Sequence, residues 1–350
     1  MGLLNKPRVA EKFNDFRRAV RANGGKIGTA MRVLDFCYTD ICNFRCEHCF
    51  AAAKVGGALD EDKCMSLEKI REVADQADEL GIYEFDLQGG ELLLFKDRFF
   101  EIVDAVGPER FYLYLTTNGY LLDEDTAKRM AEKRFDRVSV SIDSMDPAVH
   151  DAFRGQKGAL SHALQALKHV KAAGMDAFLN CTVGHYNAGS EDLENILKYS
   201  YDQGYTTVLN IAAPAGCWEG NEDVTVTKED LEYIEGIRQR YPNVTRDKWD
   251  PFDRRERQNV LGCNTCNLIY MTPKGDILPC PFVHIKLGNV YEQSLKEIVE
   301  YGFSIKYFGE YSELCLAAED RDFINRFLSE PKGILNPLEA KEIFGEEDYR

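Results

Sequence analysis

The chain reads as an α/β protein: a partial (β/α)6 TIM-like barrel followed by a small C-terminal domain of a β-hairpin plus helices. Three observations predict this. Six apolar or β-branched runs alternate with amphipathic helical stretches from Met31 to Trp218, the pattern of parallel strands joined by right-handed crossovers. Six units are two short of a closed eight-stranded barrel. After Glu219 the alternation stops and a turn-centred pattern replaces it.

Residues 1–30 form a polar leader segment with a helix around Glu11–Arg21. Strands are predicted at Arg32–Phe36, Tyr83–Leu87, Phe111–Thr116, Arg137–Ile142, Ala177–Val183 and Thr206–Ala212, where apolar and β-branched residues run together. Between them Ser66–Leu80, Asp97–Val106, Asp123–Lys133, Leu160–Ala173 and Ser190–Asp202 carry amphipathic helical spacing. The barrel is thus expected over 31–220. A linker follows at 221–258, with a helix at Lys228–Arg240. In 259–350, Leu268–Thr272 and Ile277–Pro279 flank a Pro273-Lys-Gly-Asp276 turn and read as a hairpin. Helices follow at Glu292–Tyr301 and Asp320–Leu328.

Composition excludes several classes. Twenty Phe, 17 Tyr and 2 Trp in 350 residues supply core material that a disordered chain lacks. No stretch approaches the roughly 18 apolar residues of a membrane span, and Met1–Arg8 lacks the apolar region of a secretory signal. A cytoplasmic protein without a membrane partner is expected. Against 59 acidic residues stand 43 basic ones, net −16, with no basic run to follow a phosphate backbone, so nucleic acid is not an expected partner. Eleven cysteines in a reducing compartment argue against structural disulfides. Their clustering, Cys37/Cys42/Cys46/Cys49 and Cys263/Cys266/Cys280, points to metal or iron–sulfur ligation.

Cys42-Asn-Phe-Arg-Cys46-Glu-His-Cys49 has C-x3-C-x2-C spacing directly after the first strand. Three thiolates on one loop can hold three irons of a [4Fe–4S] cluster and leave the fourth open. Zinc is the alternative, but a closed structural zinc site wants four ligands, and His48 sits beside Cys49 where the geometry is strained. With the units that follow, this motif resembles the radical S-adenosylmethionine (SAM) superfamily from about Met31 to Trp218. The resemblance implies that the open iron chelates SAM. Reductive cleavage of SAM then yields a 5′-deoxyadenosyl radical that abstracts a substrate hydrogen, with the electron coming from a flavodoxin- or ferredoxin-type donor.

Later strand ends carry further family-like elements. Gln88-Gly89-Gly90-Glu91 resembles the family's GGE turn, with Leu92 where Pro is usual; the glycines permit close approach and the carboxylate can accept from an ammonium group. Thr116-Thr-Asn-Gly119 resembles the TTNG element, implying SAM contacts from Thr116 and Asn118. Ser141 and Asp143 end the fourth strand, on the ribose side. His150-Asp-Ala-Phe-Arg-Gly155 resembles the segment whose arginine, here Arg154, approaches the SAM carboxylate. His48 takes the place of an aromatic residue near the adenine. All lie at strand C-termini, where parallel α/β folds gather active sites.

Cys263-Asn-Thr-Cys266 precedes Cys280 with thirteen residues between, and Gly275 stands five before Cys280. This resembles the twitch form of the SPASM domain and implies a second, auxiliary [4Fe–4S] cluster. Cys315 is the candidate fourth ligand. Without it, an open iron would suit substrate ligation, and zinc is the alternative occupant. Cys217, in Pro214-Ala-Gly-Cys-Trp218 past the sixth strand, could donate a hydrogen atom to a substrate radical, as an epimerase would require, or be incidental. His185 and Tyr186 could line the pocket, and Cys37 and Cys181 read as core.

The resulting expectation is a radical SAM oxidoreductase. It would complete a two-electron oxidation or cross-link of a small metabolite (an aminoglycoside or sugar) or a ribosomal peptide, with the auxiliary cluster as electron acceptor. Thirty residues before the barrel are too few for a leader-peptide-binding domain, which leans toward a small substrate. Epimerisation through Cys217 is the alternative. A non-catalytic electron carrier or zinc-stabilised module is the alternative of another class, for which Gly89–Glu91, Thr116–Gly119 and Arg154 would be superfluous.

Overall fold

The structure is a computed structural model and describes residues 5–59, 64–250, 253, 257–328 and 333–350. Six parallel strands form its centre: β1 (Val33–Cys37), β2 (Glu84–Gln88), β3 (Tyr112–Thr117), β4 (Arg137–Ser141), β5 (Asp176–Val183) and β6 (Thr206–Ile211), paired in chain order. Each lies within a residue or two of its predicted span. Side chains alternate across a strand. Leu34, Phe36, Phe85, Leu87, Leu113, Leu115, Val138 and Val140 pack into the main core under the helices. The alternate set, including Asp35, Asp86, Tyr114, Thr116 and Ser139, faces the lumen and is largely polar.

Eight helices accompany these strands: α1 (Pro7–Ala22), α2 (Leu67–Glu79), α3 (Lys96–Val106), α4 (Glu124–Glu132), α5 (Pro147–Arg154), α6 (Ala159–Ala172), α7 (Glu191–Gln203) and α8 (Lys228–Arg240). Five of the eight start at side-chain caps: Ser66, Asp123, Asp146, Ser190 and Thr227 accept from backbone N–H groups of the first turn, each worth about 1 kcal/mol. α5 lies inside a segment that sequence reading treated only as a motif. α1 closes the N-terminal end of the barrel. Its Val9, Phe16 and Val20 pack with Tyr83, Tyr112 and Tyr114, and Lys6 donates to the Phe111 and Arg134 carbonyls and pairs with buried Asp136.

The sheet continues past the barrel on both sides. β7 (Val244–Thr245) pairs with β6. On the other edge β8 (Leu268–Met271) pairs parallel with β1, Val33 opposite Leu268 and Phe36 opposite Met271. β9 (Asp276–Leu278) and β10 (Gly288–Asn289) then add antiparallel strands. The turn before β9 needs a left-handed residue, supplied by Gly275 at φ +84°. The hairpin is therefore the outer edge of the barrel sheet. α9 (Leu295–Ser304), α10 (Lys306–Gly309) and α11 (Arg321–Phe327) follow it in the chain. Among the described residues no helix is long and apolar enough to cross a membrane.

Candidate active site

The C-terminal ends of β2–β6 open into one cavity, lined from the strands by Gln88, Thr116, Thr117, Ser141, Asn180, Thr182, Asn210 and Ile211. The loop after β1 forms one wall and presents Cys42, Cys46 and Cys49 to it. Each sulfur has a donor at hand: the Phe44 N–H for Cys42 (3.4 Å), the Ala53 N–H for Cys49 (3.5 Å) and the Arg154 guanidinium for Cys46 (3.8 Å). Burial pushes all three thiols up, Cys42 to about 12. Such thiols keep their protons unless a cation replaces them. Three sulfurs around a cavity, each served by an N–H donor, fit an iron–sulfur group. They line it, and no three such side chains among the described residues close on a single point.

The glycine pair after β2 holds this wall in place. A Cβ on Gly90 would lie 2.1 Å from the Ile41 carbonyl oxygen, and one on Gly89 2.7 Å from that of Thr39. Gly90 N–H donates to Thr39 (2.7 Å) and Glu91 N–H to Ile41 (2.8 Å). Only glycine lets the cysteine loop lie flush on the β2 end. Glu91 stands behind the wall. Its buried carboxylate accepts from the Thr117 hydroxyl (2.8 and 2.9 Å), Asn118 N–H (3.0 Å) and Leu93 N–H (3.1 Å). It is absent from the cavity wall. A carboxylate with those donors ties the β2 end to β3.

Asn118 does face the cavity and donates to the Asn43 side chain (2.8 Å), tying the β3 end to the cysteine loop. Thr116 and Ser141 line the wall. Asp143 does not. Its carboxylate accepts from Arg154 Nε (2.7 Å) and Thr182 N–H (2.9 Å). Burial pushes the Asp143 carboxyl up, but the Arg154 guanidinium outweighs it and the net shift is downward. Arg154 ends α5 and thus stands between Asp143 and Cys46, lining the cavity. Gly155, at φ +64°, ends the helix where a Cβ would lie 2.4 Å from the Arg45 carbonyl oxygen.

His48 lines the cavity with one face stacked on Phe153 (4.6 Å, 6° between planes) and Trp218 5.6 Å away. Burial, then Arg154, lowers its pKa to about 3, so the ring is neutral. Cys217 is exposed to the same cavity, and its N–H donates to the Cys49 carbonyl (2.9 Å). Its loop docks on the cysteine wall through Gly216, where a Cβ would lie 2.3 Å from the Cys49 and Phe50 oxygens. His185 is not in the wall and bonds Asp230 (2.8 Å), while Tyr186 packs behind Trp218 (5.5 Å). Cys37 and Cys181 are buried in the core.

The second cysteine group gathers at the hairpin. Cys266 and Cys280 bracket β8–β9, and the Cys266 N–H donates to Pro279 (2.8 Å). Cys266 adopts φ +67°, uncommon for a residue with a side chain. A Cβ on Gly302 of α9 would stand 2.7 Å from the Cys266 sulfur, so glycine makes room for it. Cys315 comes to Cys263, whose thiol is lowered to about 6 chiefly by their hydrogen bond. The Cys315 N–H donates to Glu319 (3.0 Å), a fully buried carboxylate held by Arg246 and by Lys248 (2.9 Å). Phe50, next to Cys49, meets Phe282, two past Cys280, edge to face at 5.3 Å, and both line the cavity. Sequence reading missed Asn180, Thr182, Asn210 and Phe282. The polar alternation Asn180/Thr182 along β5 was the available signal for two of them.

Comparison with known proteins agrees with this architecture. Residues 36–200 match the Radical SAM superfamily model and residues 248–316 match that of the SPASM iron–sulfur cluster-binding domain. The chain is 26% identical over 282 residues to GTP 3′,8-cyclase of Sulfurimonas denitrificans, covering 76% of this chain and 85% of the relative. It is 22% identical over 269 residues to the subtilosin biosynthesis protein AlbA of Bacillus subtilis, covering 74% and 57%. Streptococcus suis SuiB, solved bound to its precursor peptide SuiA, shares the fold at TM-score 0.56 and 16% identity, over 82% of this chain and 68% of that one. The chain belongs to the radical SAM superfamily, whose cofactors are SAM and a [4Fe–4S] cluster, and carries a SPASM domain for further iron–sulfur binding.

Proposed function

We propose that this radical SAM enzyme oxidises or cross-links a substrate held in the barrel cavity by two electrons. The carrying observation is that Cys42, Cys46 and Cys49 line the cavity, and that the hairpin bearing Cys266 and Cys280 reaches it through Phe282, two residues past Cys280. When bound to Cys42, Cys46 and Cys49, the [4Fe–4S] cluster with SAM supplies a 5′-deoxyadenosyl radical for hydrogen abstraction. Arg154 orients the SAM carboxylate beside Cys46, with Asp143 fixing the guanidinium. Gly89 and Gly90 offer backbone to the amino group, Thr116, Asn118 and Ser141 bound the pocket, and His48 presents its free edge toward the base. Glu91 acts only by bracing the turn. Cys263, Cys266, Cys280 and Cys315 would hold the auxiliary cluster, which would supply an acceptor for the second electron.

The substrate class we favour is a peptide, supported by relatives whose names describe bacteriocin biosynthesis and precursor-peptide binding. The cyclase relative supports a small molecule instead. We read the barrel as 31–220, the linker as 221–258 and the auxiliary domain as 259–350. A flavodoxin- or ferredoxin-type donor and a cytoplasmic setting suit eleven free thiols. To test the reading, peptide and small-metabolite fractions of the source cells are added to the reduced, reconstituted enzyme and 5′-deoxyadenosine is counted. Stimulation by the peptide fraction with loss of two hydrogens supports the proposal, and stimulation by the metabolite fraction alone overturns its peptide part.

Epimerisation remains the second reading, because Cys217 is exposed in the cavity wall and fixed by the Gly216 contact. It requires that Cys217→Ala abolish inversion of a centre. Inversion at the wild-type rate excludes Cys217 as donor.

A further inference from the structure

Under the cavity floor lies a cluster of titratable groups that the reading above leaves unused. Asp35 of β1 and Asp86 of β2 stand directly opposite in register, on strands about 4.8 Å apart. They are 5% and 4% exposed, and Oδ1 of each has no hydrogen-bond partner. Tyr270 of β8 is the register partner of Asp35 on the other side. It is fully buried, its hydroxyl lies by the Cys37 thiol, and it interacts electrostatically with Asp35. One link reaches the cavity: Thr116 lines it and donates its hydroxyl to Asp86 Oδ2 at 2.9 Å.

The charges around the pair do not balance it. Arg32 lies 3.5 Å from Glu84 and 3.8 Å from Asp247. Among the described residues that leaves Arg137 as the cation next to the pair, and it donates to Ser139 (2.8 Å) and lies over Phe178 (3.9 Å) and Tyr114 (4.4 Å). Burial pushes both carboxyls well up. Asp247 and Glu84 add to this at Asp35, and Asp35 adds to it at Asp86. Two adjacent carboxyls facing one cation are neutralised by one proton, which then belongs to the pair.

We propose that Asp35 and Asp86 share a proton beneath the floor and exchange it with the cavity through the Thr116 hydroxyl, acting as the proton acceptor for substrate oxidation. This rests on the two-electron reading above. Once a hydrogen atom has left the substrate, completing the oxidation releases one electron and one proton. The electron would go to the iron–sulfur group that Cys263, Cys266, Cys280 and Cys315 would hold. With the resting proton on Asp35, the proton passes to the Thr116 oxygen as Thr116 gives its own to the ionised Asp86, so both carboxyls are protonated until one proton returns through Thr116 to the cavity.

The test is infrared spectroscopy of the iron–sulfur-loaded enzyme without substrate, so it stands or falls separately from the oxidation itself. Carbon-13 aspartate labelling separates these groups from Glu91. An aspartic C=O band near neutral pH is expected, which Asp35→Asn shifts to deprotonate about one pH unit or more lower. In D2O its exchange should slow at least about tenfold in the near-isosteric Thr116→Val and recover in Thr116→Ser. Absence of any such band in wild type, which needs no variant to fold, or unchanged exchange in Thr116→Val, overturns the proposal.

Discussion

A Cβ on Gly90 would meet the Ile41 carbonyl oxygen at 2.1 Å. Gly90→Ala must therefore lift the cysteine loop from the β2 end. Overpacking of this kind costs about 1–3 kcal/mol. We expect a lower melting temperature and loss of iron from the first cluster alone, read by calorimetry and iron analysis; unchanged iron content would contradict the bracing role. Arg154 is a second point. It bonds Asp143 and reaches Cys46 within one guanidinium, a fork that lysine cannot copy. Arg154→Lys should weaken SAM binding by about 1.5–3 kcal/mol, some tenfold to a hundredfold, measured by calorimetric titration. Glu91 shows what residue-level reading leaves out: Thr117, Asn118 and Leu93 donors converge on its carboxylate, and those contacts are spatial.

At the scale of elements, strands and helices were legible because period and caps are local. Ser66, Asp123, Ser190 and Thr227 sit where the amphipathic runs begin. α5 escaped because an eight-residue helix offers two turns of pattern, and its Pro147 start looks like a break. Asp123 gives a pH prediction. As the N-cap of α4 beside Lys96 its carboxyl is lowered to about 2, where burial alone would raise it. A folded value below the unfolded value of about 3.9 gives stability that is present above that pH and lost as pH falls toward 2. Asp123→Ala should cost about 1 kcal/mol near neutrality and remove that part of the acid dependence, seen as a flatter melting curve series between these pH values.

For the whole molecule, the pairing of β1 with β8 matters most. Met31–Cys37 and Leu268–Met271 lie far apart in the chain, and no local pattern announces that they are neighbours. Reading by units therefore gave two bodies joined by a linker, whereas one ten-stranded sheet runs through both. The consequence is mechanical. Cys266 precedes β8 and Cys42 follows β1, so both cysteine groups are fixed to adjacent strands of one sheet, and the Phe50–Phe282 contact crosses between them. Barrel and hairpin should unfold in one transition; two resolved transitions would contradict a shared sheet. Cys315 was legible as a candidate but its approach to Cys263 was not, since it depends on buried Glu319 holding the Cys315 N–H.

The central claim is that Cys42, Cys46 and Cys49 hold the cluster that cleaves SAM. Its most direct measurement is 5′-deoxyadenosine formation by the anaerobically reconstituted, reduced enzyme, beside the Cys42/Cys46/Cys49→Ala variant. The account predicts product and about eight irons per chain in wild type, two cubane clusters, with no product and about four irons in the variant. Equal product from both proteins, or zinc in place of iron in wild type, would contradict it.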